Sequence, residues 1–235
     1  MNFKIFNLNC WLLPPPLSTD NNKRLSQIIS LIKNTQPNII SLQEVWLNKY
    51  VKRFQNELKN YSFITCKNSL YNKSGLVTGL LKNQSFKKQF FPITSQHNLI
   101  ERIAQKGFHE IKLSKNISFI NTHLYAPINT KEKIITKSQL SLLQKLIKSK
   151  KYILSGDLNL NNKELSLETK KFKPIKKFKN IYKNPYQKMN FNKKFNYDNS
   201  DYILKTSTIK IPIKIKYLRS PLLSDHLVLI GKITI

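Results

Sequence analysis

The chain has 235 residues, of which 41 are Lys or Arg and 12 are Asp or Glu, giving a formal net charge of +29. A 40% apolar fraction with 13 Phe, 10 Tyr and 2 Trp excludes a disordered polybasic tail and suits one large domain or two small ones. The charge points to a polyanionic partner, nucleic acid or an anionic membrane surface, although AT-rich coding would also enrich Lys, Asn and Ile together. Two cysteines, Cys10 and Cys66, cannot form a disulfide framework and lack zinc-site spacing. No apolar run approaches the roughly 18 residues of a spanning helix, and residues 1–6 read as strand rather than leader. The expectation is a domain that starts at once and acts in the cytoplasm or leaves by a signal-independent route.

Residues 4–9 alternate in hydropathy and run into Asn9-Cys10-Trp11-Leu12-Leu13-Pro14-Pro15-Pro16, a strand followed by a proline-stopped loop. Asp20 is the expected cap of a helix reaching about Asn34, with Leu25, Ile28, Ile29, Leu31 and Ile32 as its apolar face and Pro37 beyond its end. Residues 38–43 (NIISLQ) form a short buried strand that delivers Glu44, 48–58 a second helix and 61–66 another strand. Ser74-Gly75 opens a strand over 76–81, and 108–113 pairs with 117–122 as a hairpin across Ser114-Lys115-Asn116. Helical spacing covers 131–149, and a short strand at 152–154 enters Ser155-Gly156-Asp157-Leu158-Asn159. The last strands are expected at 202–204, 209–217 and 227–235. Hairpins mixed with strand-helix units, without linker or repeat, predict a single α/β domain over 1–235 in which helices cover two packed sheets. Between Glu168 and Asp198 there is no acid while lysines alternate with Phe and Tyr, so about 165–198 is expected to be a surface loop with little regular structure.

The few carboxylates are informative by their placement. Glu44, Asp157, Asp201 and Asp225 each fall at a predicted strand end, as do Asn9, His123, Asn159 and His226, and α/β proteins assemble sites there. Hydrolysis of a phosphate diester requires a divalent cation, a base for water and donors for the charge on the phosphate oxygens. Carboxylate and amide oxygens suit Mg²⁺, and Glu44, Asn9 and Asp225 could supply them. His226 is the candidate base if a carboxylate orients its other nitrogen. Neighbours on a strand point to opposite faces, so Asp201 is a better partner for it than Asp225. Each residue also has a structural reading: Glu44 a surface acid, Asn9 a cap, His123 a core histidine, Gly156-Asp157-Leu158-Asn159 a turn. With Asp201 and Ser224-Asp225-His226 added, six signals, each at a predicted strand, are harder to explain by turn chemistry.

The ordered set LNCW with Asn9, QEVW with Glu44, SGLVTGLL at 74–81, NTHLYA with His123, SGDLNL with Asp157 and Asn159, SDYIL with Asp201 and LSDH with Asp225 and His226 resembles the endonuclease/exonuclease/phosphatase (DNase I-like) superfamily of metal-dependent hydrolases. The resemblance covers essentially the whole chain. It implies a four-layer α/β sandwich, two packed mixed β-sheets flanked by helices, with Glu44, Asn9 and Asp225 near a catalytic Mg²⁺ that Mn²⁺ or Co²⁺ could replace. It further implies His226 as general base oriented by Asp201. Asp157 would protonate the leaving group or position the nucleophile, and Asn159 and His123 would stabilise the transition state. Within the superfamily the chain is most similar to neutral sphingomyelinase-type phosphodiesterases, by LNCWLLP, by His123 in NTHLYA, by Lys106-Gly107-Phe108 before the hairpin and by Ser138-Gln139-Leu140 opening the following helix. This implies a phospholipase C-like release of phosphocholine from sphingomyelin at a membrane surface, by a monomer without a protein partner.

Two alternatives stand beside it. A nuclease of the same superfamily would use a Lys/Phe/Tyr-rich loop on phosphates and bases. A basic binding module would keep the fold without turnover. Contacts to the substrate or its surface are assigned to Lys106 and, within the loop, to Lys176, Lys177 and Phe178.

Overall fold

The computed structural model describes residues 2–67, 71–82, 88–93, 99–147, 151–168, 200–209, 213–218 and 223–234. Its strands are β1 (Asn2–Leu12), β2 (Ile39–Val45), β3 (Tyr61–Lys67), β4 (Asn72–Leu81), β5 (Lys88–Pro92), β6 (Gly107–Lys112), β7 (Ile117–His123), β8 (Lys151–Asp157), β9 (Asp201–Lys205), β10 (Ile213–Leu218) and β11 (Val228–Thr234). The helices are α1 (Asn21–Thr35), α2 (Asn48–Glu57), α3 (Leu99–Ala104), α4 (Lys133–Leu146) and α5 (Asn162–Glu168). One sheet has the order β10-β11-β1-β2-β4-β3, the other β5-β6-β7-β8-β9.

Strand alternation sorts the side chains into layers. Phe6, Leu8 and Cys10 of β1 pack with Leu25, Ile28, Ile29 and Ile32 of α1 and with Val51 and Phe54 of α2. The α1 residues recur at i, i+3, i+4 and i+7, the stripe one helical face needs. On the second sheet, Ile120 and Leu154 pack under Leu140 and Leu143 of α4 and Leu165 of α5. The opposite faces meet in a third cluster containing Ile5, Ile39, Leu80, Phe119, Ile153, Ile203 and Leu229. This is the expected four-layer sandwich. Among the described residues no helix is long and apolar enough to cross a membrane.

Several expectations are corrected. Asp20 does not cap α1: its backbone is left-handed (φ 52°, ψ 26°), which turns its carboxylate away from the first-turn amides, and it makes no side-chain capping bond. Of the strand expected over 209–217, Ile209 instead closes a turn, its amide donating to the Thr206 carbonyl, and the described strand covers Ile213–Leu218. The expected loop over 165–198 overlaps α5 at its start, and its remainder, with Lys176, Lys177 and Phe178, lies outside the described residues. The sequence reading also missed β5 and α3.

Polar groups are buried between the sheets as well. His109 of β6 is fully buried, with Nδ1 2.8 Å from Thr78 Oγ1 and Nε2 3.7 Å from Cys66 Sγ. Burial pushes its pKa down to about 3. The folded state therefore cannot take up the proton that an unfolded imidazole accepts near pH 6.5. Stability is fully present above that pH and is lost as pH falls from 6.5 towards 3, at up to about 1.4 kcal/mol per pH unit from this one group. His109→Gln is expected to flatten that part of the curve, and denaturant unfolding of both proteins between pH 7 and 4 checks it. Parallel slopes would show that His109 makes no such contribution.

Candidate active site

The parallel pairs β1/β2 and β7/β8 both end at one end of the sandwich, and β9 and β11, antiparallel to their neighbours, begin there. The first sheet brings Asn9, Glu44 and, in the bend before β11, Asp225 and His226. The second brings His123, Asp157, Asn159 and Asp201. The local backbone is strained where these residues sit. Between the register pairs Asn9↔Gln43 and Leu12↔Val45, β1 contributes two residues and β2 only Glu44, a bulge with positive φ at both Trp11 (48°) and Glu44 (56°). Glu44 is thus re-aimed out of strict alternation. Asn159 (φ 50°) also adopts the left-handed region, and Gly156 (φ 144°) lies so close to β7 that a Cβ there would sit 1.9 Å from the Thr122 carbonyl oxygen.

The two halves bond across the gap between sheets. The Asn9 amide nitrogen donates to Asp157 Oδ2 (3.0 Å), while its oxygen accepts from the Trp11 amide (3.1 Å). His226 Nδ1 lies 2.6 Å from Asp201 Oδ2, and its Nε2 faces Asp157 Oδ2 at 3.8 Å and Asp225 Oδ1 at 3.9 Å. His123 Nε2 lies 3.8 Å from Glu44 Oε1 and 3.7 Å from Asp157 Oδ2. Asp157 Oδ1 accepts the Asn159 amide (3.0 Å), and the Asn159 side-chain nitrogen donates to the Leu124 carbonyl (3.0 Å). All eight residues expected at the site therefore lie together. Asp225 and His226 occupy a bend rather than a strand, so the expected opposition of their side chains does not hold and both face the site.

Charge follows burial and pairing. Glu44 is pushed up to about 7 by burial and by Asp225, against the opposing pull of His226, Lys106 and a hydrogen bond from Asn9. Burial raises Asp201 to about 6, although its bond and attraction to His226 oppose the shift. Burial alone would also raise Asp157, but His226, His123, Asn9 and the Asn159 amide together outweigh it and hold it below the ordinary carboxylate value. For His226 the same contest runs the other way: burial disfavours its charge, yet Asp201, Asp225 and Asp157 lift it well above 6.5. His123 is held well below 6.5 by burial and then by Lys106.

Lys106, expected among the contacts to the substrate or its surface, lies beside the site residues rather than on the open surface. It is only 5% exposed, its Nζ donates to His123 Nδ1 (2.9 Å), and it lies over the Trp46 ring at 5.7 Å. An ammonium has no acceptor, so His123 must accept at Nδ1 and carry its proton on Nε2. That Nε2 is buried, has no hydrogen-bond partner and faces the site. Lys106→Met is expected to release this tautomer. Nitrogen-15 spectra of the His123 ring check it, and an unchanged Nε2–H tautomer would sink the assignment.

A residue supporting the site that sequence reasoning missed is Arg24. Its fully buried guanidinium donates to the carbonyls of Thr19 (2.9 Å), Cys10 (2.7 Å), Trp11 (2.7 Å) and Leu223 (3.1 Å) and to Asn21 Oδ1 (2.6 Å). It thereby ties the bulge after Asn9 to the segment leading into Asp225 and His226. The available signal was its identity: four of the 41 basic residues are Arg, and only Arg offers five donors in a fixed fork.

The donors fit a hard divalent cation. Glu44 and Asp225 offer carboxylate oxygens and Asn9 an amide oxygen, and Glu44 is raised first by burial and then by Asp225, a charge that a cation there would offset. Asp157, Asp201 and His226 form a second group, with ligand-type atoms within 4.8 Å of one another. There, however, the His226 Nδ1 position is already taken by Asp201.

The chain resembles solved structures across its whole length. TDP2 from C. elegans superimposes with a TM-score of 0.73 at 15% identity, covering 100% of this chain and 75% of that one. Sphingomyelinase C from Streptomyces griseocarneus gives 0.72 at 13%, covering 100% of both. D. rerio TDP2 complexed with a single-strand DNA product gives 0.70 at 18%, covering 100% and 99%. At these identities the likeness is one of fold. No curated protein matches the sequence significantly. The model of the Endonuclease/Exonuclease/phosphatase family matches residues 6–226, which takes in every site residue from Asn9 to His226, and the chain belongs to that family.

Proposed function

We propose that the chain is a divalent-cation-dependent phosphodiesterase that acts on a choline phospholipid of the sphingomyelin type. The observation that carries the chemistry is His226 held at Nδ1 by Asp201 (2.6 Å), with Nε2 turned towards Asp157 and Asp225 across the gap between the sheets. His226 Nε2 takes the proton of the attacking water, the bond from phosphorus to the leaving oxygen breaks and that oxygen takes its proton from solvent, while Asp201 keeps Nδ1 as the donor and balances the imidazolium that forms. Asp157, held ionised, serves better to orient that water than to protonate a leaving group. The proton on His123 Nε2 is a donor for a phosphoryl oxygen, and the second N–H of Asn159 is another. A Mg²⁺-class cation held by Glu44, Asn9 and Asp225 would neutralise phosphate charge at the same point.

Support for the lipid substrate is the Lys106-His123 pair, matching the sphingomyelinase-like motifs, together with a fold shared with Sphingomyelinase C. The nuclease reading draws on the net charge of +29 and on the fold shared with a TDP2 that holds a DNA product. Sphingomyelin vesicles, abasic-site DNA and plain duplex DNA, each with Mg²⁺ or with EDTA, separate the two. Release of phosphocholine lost in EDTA and in His226→Ala is the expected result. Turnover of DNA alone overturns the lipid assignment, and binding without turnover of any substrate overturns the enzyme.

A further inference from the structure

Reading back from the site along each strand, two residues at a time, exposes a second layer. Asn9 is followed by Asn7 and Ile5, Gln43 by Ser41 and Ile39, His123 by Asn121 and Phe119, and Asp157 by Ser155 and Ile153. The last residue of each series belongs to the apolar cluster between the sheets. The middle residues are all fully buried and polar. Gln43 Nε2 donates across the sheets to Asn121 Oδ1 (2.8 Å) and within its own sheet to Asn7 Oδ1 (3.1 Å). Ser155 Oγ donates back across to Asn7 Oδ1 (2.9 Å), and Asn121 Nδ2 donates across to Thr78 Oγ1 (2.9 Å). A hydrogen-bonded floor therefore lies one pleat beneath Asn9, His123 and Asp157, with Gln43 joining it from the level of Asn9.

We propose that this polar layer aligns the active site, with Gln43, Asn121, Asn7 and Ser155 as positioning residues that fix the two sheets against each other. The proposal deepens the phosphodiesterase reading and rests on it. Three contacts of the site, Asn9 to Asp157, His226 to Asp201 and His123 to Glu44, join one sheet to the other. A slide of the sheets by a fraction of an ångström would spoil all three together. Apolar packing is non-directional and resists such a slide poorly, whereas hydrogen bonds of 2.8–2.9 Å between fixed strands define one register. Stability does not explain the layer. Asn7 Nδ2 and Gln43 Oε1 are buried without any partner, and an incompletely satisfied polar layer is a poorer source of stability than the apolar layer beneath it.

The test is the double variant Gln43→Met, Asn121→Leu, which removes the central cross-sheet bond from both sides at nearly constant volume. Two readouts are compared with wild type: steady-state hydrolysis of bis(p-nitrophenyl) phosphate, and the far-downfield proton of the His226–Asp201 hydrogen bond by NMR. The melting temperature is expected within about 5 °C of wild type, while kcat falls at least about tenfold with little change in KM, and the downfield proton shifts or broadens. Wild-type kcat with an unmoved resonance would overturn the proposal. Should the double variant not fold, Ser155→Ala, which deletes one oxygen and one cross-sheet bond, is held to the same criteria with an expected loss of about two- to fivefold. If the wild-type protein hydrolyses no diester, the functional reading fails, and the resonance alone still decides whether the floor aligns the histidine pair.

Discussion

His226→Ala is expected to lower kcat for diester hydrolysis by about 10²–10⁴-fold, the range for loss of a positioned general base. Its fold should survive the change. Asp201 is buried and already raised to about 6, and without the imidazole that draws its pKa down it rises further, so at neutral pH it becomes a neutral acid rather than an unpaired charge. The companion variant Asp201→Asn separates orientation from chemistry. Asp201 is the largest of the charges that lift His226 above 6.5, so its removal lowers the imidazole pKa. The base works in its neutral form, and activity rises as pH passes that pKa. The acidic limb of the kcat/KM profile therefore moves to lower pH, even as kcat falls because Nδ1 is no longer held as donor. An unmoved limb would show that the 2.6 Å contact does not set the titration of the base.

The sequence made the layers legible because strands buried on both faces leave near-continuous apolar runs, as in residues 76–81 and 227–230. It made the site residues legible because a chain with 12 carboxylates places few of them at strand ends by chance. It did not reveal how Glu44 reaches the site. That depends on the bulge opposite Trp11, a two-against-one register that no periodicity reports. Arg24 stayed hidden for a similar reason, since it donates to four backbone carbonyls, which carry no side-chain signature. Helix α5 was missed despite a signal. Asn161 and Glu164 cap each other reciprocally at 2.9 Å in both directions, and the N-x-x-E spacing of that capping box is written in the sequence. Its seven residues were too few to show helical period.

The largest effect on cation binding is expected from Glu44→Gln. The variant keeps the shape of the side chain but removes the charge that burial and Asp225 have made costly, so the cation loses its principal reason to bind. Turnover should fall by about 10²–10³-fold, the scale for loss of one electrostatic stabiliser. The affinity itself distinguishes the two acidic groups. With Glu44 as ligand, Mn²⁺ binding must displace its proton, so wild-type affinity rises with pH up to about 7 and levels above it, where the carboxylate is already ionised. Glu44→Gln abolishes both the affinity and its pH dependence, while Asp201→Asn leaves both nearly intact. Calorimetric titration with Mn²⁺ at pH 6, 7 and 8 reads this without any substrate. The opposite pattern, binding kept in Glu44→Gln and lost in Asp201→Asn, would move the cation to the Asp157, Asp201 and His226 group and leave His226 unable to serve as the base.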